Sequence, residues 1–181
     1  MADLSVKILL DFQATEVGTG IGVVPTYEAR IRKRWSLLYG TGADQVDMMF
    51  AAASDISASG STTFDLNNAF SWPVPFNTGA WGENVDFAEM VAFFVANVDG
   101  AGDANDVDLT IGNAASAQWA SWAGGADTAV GPISPGGMFM LITPDAGGLG
   151  AVVDTSADNI KIAGGAGTTS GIQYGFFGRS A

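Results

Sequence analysis

Along residues 30–39 the side chains alternate. Ile31, Trp35, Leu37 and Tyr39 fall on one side of a two-residue period and Arg30, Arg32, Arg34 and Ser36 on the other, with Lys33 the one break on the apolar side. A helix would scatter both sets around its axis, whereas a strand sends them to opposite faces. The segment is therefore a strand with one face turned to apolar neighbours. The same period marks residues 5–12, where Val6, Ile8, Leu10 and Phe12 oppose Ser5, Lys7 and Asp11. Shorter runs with strand character follow at 46–52, 63–66, 107–111, 138–143, 151–153, 159–162 and 172–177.

Residues 90–98 (Met-Val-Ala-Phe-Phe-Val-Ala-Asn-Val) are apolar on both sides of that period, which predicts a central strand covered on both faces. Between the strands stand turn signals supplied by 25 glycines, while only 14% of residues are charged. No segment carries three turns of amphipathic helical pattern, and no unit of sequence repeats. About ten short strands at this spacing predict an all-β fold, an antiparallel β-sandwich of jelly-roll type. With 48% hydrophobic residues, the 181-residue chain has enough core for a single domain over 1–181. Residues 69–84, which hold Trp72, Pro73, Pro75 and Trp81 among Asn and Gly, read as a long surface loop.

The chain contains no histidine and no cysteine. Imidazole bases, thiolate nucleophiles, disulfides and His/Cys zinc sites are excluded together, and a metal site would have to be built from oxygen ligands. Asp99, Asp103, Asp106 and Asp108 lie in one Gly- and Asn-containing loop and are the candidates for calcium. Their spacing is not that of an EF-hand, and clustered Asp, Asn and Gly are also ordinary hairpin chemistry, because Asx side chains bond their own backbone. The glycine clusters at 18–22 and 164–167 lack a following helix and a P-loop lysine, so they read as turns without a phosphate. Glu16, Glu28, Glu83 and Glu89 are the only glutamates, and no local pattern pairs carboxylates as a glycosidase requires. The chain is expected to be no enzyme and to hold no cofactor.

Formal net charge is −12, and it is polarised. Residues 1–40 carry Lys7, Arg30, Arg32, Lys33 and Arg34 against Asp3, Asp11, Glu16 and Glu28, a net of +1, which leaves −13 on the remainder. Arg30, Arg32 and Arg34 should project from one strand face about 7 Å apart, ready for phosphates, for an acidic partner surface or for acids of this same protein. Without interleaved aromatics, and against the overall charge, nucleic acid is the least suited partner and protein the best. The segment 1–40 is accordingly expected to be a docking or oligomer-contact element. Trp72, Trp81, Trp119 and Trp122 sit in or beside loops, where indole rings anchor interfaces or stack on sugars. No apolar run approaches the ~20 residues of a membrane span. The start of the chain has no basic region followed by an apolar stretch, so synthesis in a cytoplasm without a signal peptide is expected.

Three stretches, Ser134-Pro135-Gly136-Gly137, Thr155-Ser156-Ala157-Asp158-Asn159-Ile160-Lys161-Ile162 and Thr168-Thr169-Ser170-Gly171-Ile172-Gln173-Tyr174 with Phe177-Gly178, resemble structural proteins of tailed bacteriophages. In that family a Pro-Gly-Gly turn, an Ala-Asp-x-Ile-x-Ile type of strand and a last Tyr-bearing strand close a jelly-roll-like domain. Thr63-Phe64-Asp65-Leu66 and Val85-Asp86-Phe87-Ala88-Glu89-Met90 are similar to the pattern upstream, so the resemblance spans residues 60–181. It implies a virion protein made in the host cytoplasm, most like a capsid decoration or cement protein. Its implied partners are the major capsid protein and copies of itself, a trimer for preference, with no membrane. The alternative it leaves is a minor tail or fibre protein, or a module that binds carbohydrate on the host surface. The matching positions are turn and core residues, so no catalytic residue is implied.

Overall fold

Strands form where the alternation predicts them, and a few more where no period is long enough to see. In the computed structural model, which describes residues 6–17, 26–67, 70–71, 84–125, 128–167 and 170–181, the first are β1 (Val6–Val17), β2 (Thr26–Tyr39), β3 (Gln45–Val46), β4 (Met48–Ile56) and β5 (Ser61–Asp65). After them come β6 (Phe70–Ser71), β7 (Asn84–Val85), β8 (Glu89–Ala96), β9 (Leu109–Gly112) and β10 (Ala129–Ile133). The last are β11 (Met138–Ile142), β12 (Gly150–Ala151), β13 (Asn159–Gly164) and β14 (Ser170–Arg179). Among the described residues the one helical element is a 3-10 turn at Ser121–Ala123, and no helix is long and apolar enough to cross a membrane.

The excess over the expected ten strands has two sources. β3, β6 and β7 are two residues long, too short to show a period. β10 contains Gly131 and Pro132, which read as breakers; its place at a sheet edge, paired only to β9, leaves the proline without a ladder bond to make. The ends of the expected loop at 69–84 pair as β6 and β7, while Trp72 and Trp81 lie outside the described residues.

Two sheets face each other, one in the order β11-β8-β14-β4 with β12 added to β8, the other in the order β10-β9-β13-β5. All their pairings are antiparallel. Ile172, Tyr174 and Phe176 of β14, with Phe93 and Val95 of β8, meet Ile111 of β9, Ile160 and Ile162 of β13 and Phe64 of β5 in one buried core. The molecule is an antiparallel β-sandwich. β4 and β5, β8 and β9, β10 and β11, and β13 and β14 each step from one sheet to the other, so most connections cross the core. β8 is the predicted central strand, buried on both faces along most of its length.

A third layer stands outside the sandwich. β1 and β2 pair without a register break from Val6↔Leu37 to Val17↔Thr26, and β3 adds to the end of β2. The root of this ribbon is held by Arg179, a cation only 1% exposed at the end of β14. Its guanidinium donates to the carbonyls of Gln45, Asp145 and Ala146 and lies 3.1 Å from Glu89 Oε1. The fork ties β3, β8 and the loop before β12 to the last strand. Replacing Arg179 with Met should lower unfolding free energy by about 3 kcal/mol in a denaturant titration, because Glu89 and three carbonyls lose their donor. A loss within experimental error would mean that the fork adds nothing over its desolvation cost.

Candidate docking surface

The ribbon has two unlike faces. In an antiparallel pair, residues directly opposite share a face. The inner face therefore carries Val6 with Leu37, Ile8 with Trp35, Leu10 with Lys33, and then Ile31; the outer face carries Lys7 with Ser36, Leu9 with Arg34, Asp11 with Arg32 and Gln13 with Arg30.

At its root the inner face is packed. Val6 and Leu37 are buried, and with Ile8 they lie on Ala92 and Phe94 of β8 and Phe177 of β14, the side of that sheet turned away from the main core. Further out the packing ends. Leu10 is 42% and Ile31 62% exposed, although the alternation alone assigns Ile31 to a covered face. β8 and β14 cover the ribbon only at its root, so the same sequence period is buried at one end and open further along. The Lys33 ammonium stands 5.7 Å from the Trp35 ring centroid, within cation-π range.

The outer face answers the question left by the arginine stripe. Asp11 accepts from both Arg30 and Arg32, at 2.6 and 2.7 Å, so two of the three expected cations share one carboxylate within the ribbon. Hydrogen bonds from Arg30 and then Arg32 hold the Asp11 carboxyl down at about 2, and Asp11 in turn raises Arg30. Arg34 and Lys7 are exposed and, among the described residues, have no ion pair; the exposed Leu9 sits opposite Arg34. Asp11 was missing from the candidates read from the sequence. Its signal was there, an acid in phase with the polar set of one strand facing alternate arginines on the next, but only the register joins them.

The rest of the sheet beneath the ribbon is also apolar. Reading across the register, one row on its outer side is Ala51, Gly175, Phe94 and Met140, and the next is Ala53, Gln173, Ala96 and Met138. Ala51 and Ala53 are exposed, and Met138 is 60% exposed. Gln173 is the one polar member, and its Nε2 donates to the Asp99 carbonyl. A mainly apolar cleft of about 320 Å³ lies between ribbon and sheet, with Val6, Ile8, Phe94, Met138 and Met140 in its wall and Lys7 and Leu9 of the ribbon's other face at its side. The corresponding outer side of the other sheet is polar: Ser61, Thr63 and Asp65 of β5 stand beside Ala163, Lys161 and Asn159 of β13. One side of the sandwich is built for water and the other is not.

The remaining sequence candidates separate. Asp99, Asp103, Asp106 and Asp108 do not converge as a cation site requires; no metal-sized group of three acids exists among the described residues. The Asp99 carboxylate instead accepts from the Ala101 and Asp103 amides, the Asx bonding of an ordinary turn. Trp119 is 1% exposed and Trp122 is half-buried, both edge-on to Phe93 at 5.9 and 5.3 Å between ring centroids, so these two indoles are core and not sugar platforms. Trp72 and Trp81 lie outside the described residues.

No protein-family model, curated protein or solved structure matches this chain.

The Asp11 clasp has a defined pH window. Because its folded value is depressed, its contribution is complete above the free-carboxylate value of 3.8 and lost as pH falls through about 2. Carboxyl 13C NMR should place the Asp11 midpoint near 2, and Arg30→Met should move it up toward 3.8. An unmoved midpoint in the variant would assign the clasp to Arg32 alone.

Proposed function

We propose that this chain is a structural protein of a phage particle, a decoration or cement protein that docks on the outside of the capsid and ties major capsid protein subunits together. The observation that carries this reading is the opposite character of the two outer faces: an apolar, ribbon-bearing side suited to burial and a polar side suited to solvent. A freely diffusing binding module gains nothing from one extended apolar side, whereas a protein that spends its life against a larger surface does.

The resemblance to tailed-phage structural proteins supports the reading independently. So does the strand order, in which four antiparallel pairs wrap into two sheets; this supports a jelly roll, an architecture that capsid and lectin domains share. Fold analogy alone would not separate those two functions. Core placement of Trp119 and Trp122 removes part of the case for sugar binding.

Mechanism in this reading needs no chemistry. A capsid presents many equivalent sites, and a copy that buries roughly 800 Å² at each, in an oligomer that engages several at once, holds by avidity. The outer face of the ribbon meets the capsid through Lys7, Leu9 and Arg34, with acidic protein as the complementary surface; Arg30 and Arg32 brace Asp11 and keep the ribbon straight. The acidic body faces outward.

The test is quantitative sedimentation with purified capsids. Bound copies should approach the number of major capsid protein subunits, and occupancy should fall as salt rises. Lys7→Glu combined with Arg34→Glu should weaken binding by about tenfold or more, since like charges then face the acidic surface. Saturation by the double variant would remove the ribbon's outer face as the docking element, and absence of the protein from heads would remove the decoration role.

A further inference from the structure

Among the described residues two apolar surfaces have no cover, and they are complementary. One is the stretch of the ribbon's inner face around Leu10 and Ile31, which are 42% and 62% exposed. The other is the open pair of rows on the β11-β8-β14-β4 sheet, flat because Ala51, Ala53, Ala96 and Gly175 are small, and edged by the 60% exposed Met138. Large side chains on a ribbon fit a surface of small ones.

We propose that the chain assembles head to tail, with the Leu10 and Ile31 stretch of one copy's ribbon lying inner face down across the open rows of the next copy's sheet. The inference rests on the apolar side being a contact surface, and names a second copy as its occupant.

Three observations select a second copy. The chain already makes this contact once, since Val6, Ile8 and Leu37 of the same ribbon face lie on Phe177, Ala92 and Phe94 of the same sheet face, and the open rows continue directly from there. The ribbon cannot supply the second contact to its own body. Its ladder runs without a bulge to Val17↔Thr26, so the seven residues from Asp11 onward carry it about 23 Å further, away from its root. Charge agrees as well: residues 1–40 sum to +1 and the rest to −13. Lys33 shares the ribbon face with Leu10, and exposed Asp55 ends the sheet face beside Gly171.

Such a contact is heterologous: the surface given differs from the surface received, so copies close into a ring or continue as a chain. It leaves the ribbon's outer face free, and a ring would present several copies of Lys7 and Arg34 on one side.

Light scattering behind size exclusion tests this with the full chain and no capsid. Wild-type protein at tens of micromolar should have a mass that is a multiple of 18.5 kDa. Ile31→Glu spoils only the ribbon and Ala53→Glu only the sheet; each should raise the junction's dissociation constant about thirtyfold or more and run as monomer, with unchanged circular dichroism. Mixed one to one, they retain a single intact junction, ribbon of the second on sheet of the first, and should form a species of twice the chain mass. Leu10→Glu and Met138→Glu form a second pair, should either first variant unfold. A monomeric wild type, an oligomer that survives both variants, or a mixture that stays monomeric each overturns the proposal, the last pointing to like-to-like contact. A monomer that still coats capsids would sink this inference and leave the decoration role standing. A head-to-tail oligomer that ignores capsids would do the reverse.

Discussion

Strand β14 is covered on both faces, and the rest of the molecule is arranged by that constraint. Toward the main core it sends Ile172, Tyr174 and Phe176; to the opposite side it sends Gly171, Gln173, Gly175 and Phe177, and Phe177 meets the ribbon. The glycines are a packing requirement. A Cβ on Gly175 would come within 2.5 Å of the Phe94 ring, which lies across the bare backbone and makes the surface flat. The strand ends in Arg179, whose fork reaches Gln45 and so fixes the short strand on which the ribbon is rooted. Core, ribbon and outer face thus meet on one strand.

From this follows a molecule with two ends of different physical character. On the polar outer side, Ser, Thr, Asn, Asp and Lys from β5 and β13 keep the sheet wetted. On the other side the hydrophobic effect has been satisfied only under the root of the ribbon, and the remaining rows and the ribbon's Leu10 and Ile31 keep exposed apolar area. Cations are scarce outside residues 1–40, where Arg179 is buried and Lys161 half-buried, so the exposed charge of the body is overwhelmingly acidic. A surface that is apolar on one side and anionic elsewhere favours association in a defined orientation.

Strand positions were legible because a two-residue period is a local property; residues 90–98, apolar on both faces, announced the central β8 without reference to anything else in the chain. Partners were not legible, because pairs such as Gly175 with Phe94 join residues far apart in sequence. The arginine stripe shows the difference within one ribbon. Its alternation was evident, yet its pairing with Asp11 depends on register, and a slip of one residue would put Asp11 on the opposite face. Trp119 and Trp122 are surrounded in sequence by Ala, Ser and Gly and read as loop aromatics; Phe93, brought from another strand, makes them core. The aspartates of the 99–108 loop read equally as ligands or as turn formers, and the amides of Ala101 and Asp103 decided for the turn.

By itself, then, the sequence determined the all-β class, the central strand, the charge polarity and the exclusion of imidazole and thiolate chemistry, since all four depend on residue type and local order alone. The tertiary structure alone decided that the ribbon is covered only at its root, that two of its three arginines are already paired, and that one outer face is apolar while the other is polar. Those features arise from the distance between elements and the register of their ladders, which no local pattern encodes.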